Sequence, residues 1–143
     1  MRTVVLLARI ALGAVFLYAG AIKAFDARGF ADDIANYQLL PGLLVPTVAA
    51  ALPWVEMAAG LSLVLGRWSR GAALLVGGLM TAFTLALLQA FARGIDLTCG
   101  CFGGDAPADW TTLVRDLVLL AGAAFVFAFD RCGARPEKAA PAI

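Results

Sequence analysis

Residues 71–92 run for 22 positions without a charged side chain. At about 1.5 Å of rise per residue, a helix of that length crosses a hydrocarbon layer roughly 30 Å thick. In water it would need a large apolar core around it. A chain of 143 residues with 62% apolar and 15% charged side chains, and a mean hydropathy of +0.89, has too little polar surface to cover one. A bilayer removes that demand, because lipid becomes the solvent for the outer helix faces.

Three more segments carry the same signal, over residues 4–22, 44–65 and 110–129. They are too long for barrel strands, so backbone hydrogen bonding inside lipid makes them helices. The expected fold is all-α, a four-transmembrane-helix bundle with an extracytoplasmic cysteine loop, forming a single membrane domain over residues 1–143. The start, Met1-Arg2-Thr3-Val4-Val5, partly imitates a signal peptide, with small residues at Ala19-Gly20-Ala21. The apolar pattern continues to Ile22 and three more such segments follow, which predicts an uncleaved first span. Arg9 and Lys23 near its ends do not refute the span, since long basic side chains close to a boundary can snorkel.

Between the spans, residues 30–39 suit a short interfacial helix closed by Pro41-Gly42. Residues 66–70 form a tight turn, and residues 93–109 hold a glycine-rich loop. With four spans, Arg2, Arg9, Arg67, Arg70, Arg131, Arg135 and Lys138 fall on one side, and Lys23, Arg28, Arg93 and Arg115 on the other. The bias predicts cytoplasmic termini and an exported loop after the third span. Trp68 and Trp110 fit interfacial anchors. A net charge of +1 with no basic block excludes nucleic acid as a partner; membrane lipid is the expected surroundings. The small residues Gly13, Gly20, Ala51, Ala58, Gly60, Gly77, Gly78 and Gly122 are read as helix contact points.

The exported loop contains Cys99-Gly100-Cys101-Phe102-Gly103-Gly104. A disulfide between residues so close makes a small strained ring, which favours passing the bond on. It would restrain little of the unfolded chain, so a plain structural staple is the weaker reading. Two thiols in a chain without histidine do not make a zinc site, and no metal is expected. Cys132 lies beyond the fourth span on the other side and is read as incidental.

Glu56 lies about halfway along the second span, where a carboxylate turns toward the bundle interior. Pro53, Glu56 and Gly60 share one helical face, and Pro53 removes an amide donor beside it. Lys23 and Arg115 are the candidate partners of Glu56, and Asp116 can pair with either base. Two readings follow, an ion pair that fixes helix register and a proton or ligand site. Trp54, Tyr18 and Phe102 are candidates for a flat apolar pocket suited to a quinone ring, beside the plain reading of helix packing. No dinucleotide fingerprint and no Cys-x-x-Cys-His haem attachment occur in the sequence.

Arg9, Phe16-Leu17, Gly20, Lys23, Tyr37, Leu52-Pro53-Trp54, Glu56, Gly60 and the Cys99-Gly100-Cys101-Phe102-Gly103 loop carry a resemblance. Over residues 4–130 the chain resembles the DoxX-like superfamily, particularly its MauE branch, associated with methylamine utilisation. The resemblance implies a four-helix protein of the bacterial inner (cytoplasmic) membrane. It also implies a link to disulfide-dependent maturation of a periplasmic methylamine dehydrogenase subunit.

The leading expectation is therefore a membrane thiol-disulfide oxidoreductase or redox maturation factor for exported proteins. Its partner would be a periplasmic protein carrying thiols or a disulfide. Cys99 and Cys101 would exchange disulfides with it, and Glu56 and Arg115 would handle a proton. Lys23, Trp54 and Phe102 would meet a quinone acceptor. The alternatives are a non-enzymatic assembly subunit that binds an exported partner and, third, a small transporter.

Overall fold

The computed structural model describes residues 1–95 and 110–130; Cys99, Cys101, Phe102 and Cys132 lie outside the described residues. Helix α1 spans Arg2–Phe25, α2 Ala27–Asn36, α3 Val45–Leu65, α4 Ser69–Ala92 and α5 Trp110–Phe129. No strand occurs among the described residues. Helices α1, α3, α4 and α5 are each long and apolar enough to cross a membrane. Only about a third of each is buried inside the protein. Leu7, Leu61, Leu74, Leu85 and Val118 stand on the outside, an arrangement that water would penalise and lipid accepts. This is a multi-pass membrane protein.

Local chemistry sets the ends of the helices. Asp26 closes α1 and starts α2, its carboxylate accepting a hydrogen bond from the Gly29 amide at 3.0 Å. That cap explains why α2 begins at Ala27, ahead of the 30–39 expected from its apolar pattern; the helix ends at Asn36. After it, Gln38 turns the chain with a left-handed φ of 52°, and Pro46 enters the first turn of α3. Helix α3 ends at Gly66, whose φ of 72° is the left-handed cap that favours glycine. Helix α4 then starts at Ser69, two residues before the expected span.

The bundle is built from two close pairs, α1 with α3 and α4 with α5, joined by α1–α5 and α3–α4 contacts; α2 lies mainly against α3. Its core joins Leu12 and Phe16 of α1 to Ala59 and Leu63 of α3, Val76 and Met80 of α4, and Ala123 and Val126 of α5. The α1–α3 pair is the tightest. A Cβ added to Gly13 would come within 2.7 Å of the Gly60 carbonyl oxygen, and one on Gly60 within 2.7 Å of that of Gly13. A Cβ on Gly20 would likewise meet the Pro53 carbonyl at 2.7 Å. These contacts fall two turns apart on each antiparallel helix and lock its register, with backbone approach supplying dispersion that lipid cannot replace. Ala51, Ala58 and Gly78 are corrections: all three are exposed, and Gly78 has open space around its Cβ position. Their helices are apolar on every side, so small size alone did not mark the inward face.

Candidate functional site

Lys23 stands near the end of α1, and Glu56 near the middle of α3. Helical side chains lean toward the N-terminus of their own helix. On antiparallel helices the two therefore lean toward each other. The ammonium of Lys23 donates to both carboxylate oxygens of Glu56, at 2.6 and 2.9 Å, with the residues only 4% and 1% exposed. The same nitrogen lies 5.1 Å from the ring centroid of Phe30 in α2 and 5.0 Å from that of Phe83 in α4, within range of a cation–π attraction. One ammonium thus touches side chains of α2, α3 and α4.

Helix α5 completes the surroundings. Arg115 and Asp116 line the same cavity as Lys23, Glu56, Met80 and Phe83, a space of about 20 Å³. That is room for about one water molecule. Asp116 is buried, and its Oδ1 accepts from Arg115 Nε at 3.1 Å and Nη2 at 2.9 Å. Of the pairings open from sequence, the structure selects Lys23 with Glu56 and Arg115 with its neighbour Asp116. Two cations and two anions balance around one small cavity, which makes the burial of Lys23, Glu56 and Asp116 tolerable.

Arg9 and Lys23 do not snorkel. Both are buried, Lys23 on Glu56 and Arg9 on Asp130, with Nη1 to Oδ2 at 3.4 Å. The physical reason is the supply of an inward carboxylate for each, which outbids the water at the boundary. The Arg9 guanidinium also lies against Gly66, where a Cβ would approach it to 2.8 Å. The pair thus ties the start of α1 to the end of α5 beneath the α3–α4 turn. Asp130 as a partner escaped sequence reasoning, since 121 residues separate it from Arg9.

Of the three residues expected to form a flat pocket, Phe102 lies outside the described residues, and Trp54 and Tyr18 stand on the outside of the bundle. They are 66% and 61% exposed, and neither lines the apolar groove that the structure does contain. That groove lies between α2, α3 and α4, with Phe30 and Phe83 in its wall. Sequence reasoning missed both phenylalanines as neighbours of Lys23. Phe30 had a signal, as the large apolar residue of an amphipathic helix; Phe83 had none within a uniformly apolar span. Trp68 and Trp110 are exposed at opposite ends of the bundle. No group of three or more metal-ligating side chains occurs among the described residues.

Four apolar spans around a balanced cluster of buried charges define a small helical membrane protein with a polar centre inside the bundle. The profile of the family described as Methylamine utilisation protein MauE matches residues 1–129, and the chain belongs to that family. It is 34% identical over 116 residues to the Methylamine utilization protein MauE of Paracoccus denitrificans, covering 79% of this chain and 62% of that protein. Similarity to the protein of that name from Methylophilus methylotrophus is 32% over 100 residues, covering 69% of this chain and 53% of the relative. For the Paracoccus versutus protein it is 31% over 134 residues, covering 90% and 72%. The chain therefore spans less than two thirds of the first two relatives. No solved structure matches it.

Proposed function

We propose that this protein is an accessory membrane factor of methylamine utilisation that supports the maturation of an exported partner through thiol-disulfide exchange at Cys99 and Cys101. The family match over residues 1–129 supports the first half of this reading, because the relatives are named as methylamine utilization proteins. The spacing Cys99-Gly100-Cys101 carries the second half. The segment with these cysteines joins α4 to α5 at the end of the bundle where Lys23, α2 and Arg93 also lie. Seven basic residues against four favour that end as the exported one.

In this reading a thiolate of the partner attacks the Cys99–Cys101 disulfide and forms a mixed disulfide, releasing one cysteine of the pair as thiolate. A second thiolate of the partner then resolves it. The partner dithiol leaves as a disulfide, and its two electrons stay on the reduced Cys99/Cys101 pair. The buried charges serve chiefly as the frame, since Lys23 engages both oxygens of Glu56.

That same engagement favours a second reading, a non-enzymatic assembly subunit. Single Cys99→Ser and Cys101→Ser variants, expressed with the exported proteins of the same cell, separate the two. Exchange predicts that one single variant accumulates a covalent complex sensitive to reductant and that the double variant loses function. A double variant that still binds its partner and supports maturation would establish the scaffold instead.

A further inference from the structure

Helices α3 and α4 are joined by a short turn at one end, and toward their other end a groove of about 210 Å³ lies between them and α2. Val48 and Leu52 lie one turn apart on its α3 wall, and Ala82 and Ala86 one turn apart on its α4 wall. Branched side chains facing two methyl groups make a slot along the helix axes. Phe30 and Phe83, whose rings also flank the Lys23 ammonium, close its inner side. Ala82, toward its outer side, is exposed on a membrane-spanning helix, so an occupant would enter from lipid.

We propose that this groove binds the six-membered ring of a neutral, hydrocarbon-tailed lipid of the quinone class. Size is the first argument. A dry cavity of about 150 Å³ accepts benzene, so 210 Å³ accommodates a substituted ring. Wall chemistry is the second, because three aromatic rings, Phe30, Tyr37 and Phe83, in a largely aliphatic slot suit a flat, polarisable guest. Polarity is the third. The polar side chains of the lining are Asp33 and Tyr37, which sit on α2 and just after it, at one end of the groove. A ring bearing carbonyl or hydroxyl groups would meet polar atoms at that end while its hydrocarbon tail lies along the apolar wall. The site differs from the Trp54 and Phe102 surface expected from sequence.

The inference deepens the proposed function and rests on it only for what the ring does once bound. There, a quinone would take up two electrons and two protons and leave as hydroquinone, while the reduced Cys99/Cys101 pair closes to a disulfide. Binding itself is independent of that step.

The test uses the full chain in phosphatidylcholine nanodiscs with a photoreactive short-tailed benzoquinone, and maps the label by mass spectrometry. Label is expected on peptides of α2, α3 and α4 around Phe30, Leu52 and Ala86. Ala82→Leu and Ala86→Leu, which fill the slot, should each weaken binding about tenfold or more. Ala82 is exposed, so its leucine variant keeps the bundle folded, and an unchanged melting profile checks this. Unchanged labelling in both variants would overturn the proposal. So would equal competition by a ringless decyl chain, which would mark a slot for acyl chains, or by phosphatidylglycerol, which would mark a phospholipid site. Mixed-disulfide trapping with pre-oxidised protein needs no acceptor, so its success or failure in Ala86→Leu judges the thiol reading separately.

Discussion

Lys23 Nζ bridges both carboxylate oxygens of Glu56, at 2.6 and 2.9 Å, between the rings of Phe30 and Phe83. Within a protein whose outer faces meet lipid, this contact ties four of the five helices. Neither charge has water to return to if the other is lost.

Lys23→Met should therefore destabilise the bundle by about 3–5 kcal/mol, because it leaves the Glu56 carboxylate buried and unpaired. The double variant Lys23→Met/Glu56→Met should recover most of that loss, since an apolar pair of similar volume needs no desolvation. Thermal unfolding in mild detergent, followed by circular dichroism, measures the cycle. Additive losses in the double variant would show that the two side chains act independently.

The α1–α3 crossing gives a second expectation. Gly13→Val and Gly60→Val place methyl groups where backbone oxygen already stands, at 2.7 Å from even a bare Cβ. Each should cost about 1–3 kcal/mol or prevent folding, and each should disturb the Lys23–Glu56 contact set by the same register. Gly78→Ala, in open space on the outside, should leave the melting temperature unchanged. A sensitive Gly78 would point to a helix contact outside this chain.

Gly66 is constrained twice, by its φ of 72° and by the guanidinium of Arg9 against it. Gly66→Ala should lose about 1 kcal/mol from the left-handed conformation alone, and more from displacing Arg9. Arg9→Ala should remove part of the second penalty, so the two changes will not add. Unfolding of the single and double variants reads the coupling directly.

Orientation follows from single cysteines placed in a Cys99→Ser/Cys101→Ser/Cys132→Ser background. A cysteine replacing Asn36 should react with a membrane-impermeant maleimide on intact spheroplasts. One replacing Arg67 should react only after permeabilisation, as the basic-residue bias requires. The reverse pattern would put the Cys99–Cys101 segment in the cytoplasm and remove the exported partner.

The spans were readable because each is a run of local chemistry. Freedom from charge over 22 residues, and punctuation at Pro41-Gly42 and Gly66, need no knowledge of the rest of the fold. The inward setting of Glu56 was readable too, since a carboxylate in mid-span has nowhere else to go, and helical spacing brings Pro53 and Gly60 to its face. Trp54 resisted the same logic. On α3 the apolar residues surround the axis, so hydrophobicity does not distinguish the side that meets helices from the side that meets lipid.

By itself the amino-acid order determined how many helices cross the membrane, roughly where they end, and that a carboxylate must be buried among them. Only the tertiary structure decided that Lys23 rather than Arg115 answers Glu56, that Arg9 reaches Asp130, and that Phe30 and Phe83 separate the charges from a groove. Helix formation depends on neighbours within a turn, which the chain lists in order. Pairing between helices depends on their register and rotation, set here by backbone contact at Gly13 and Gly60 and visible only once the helices are packed.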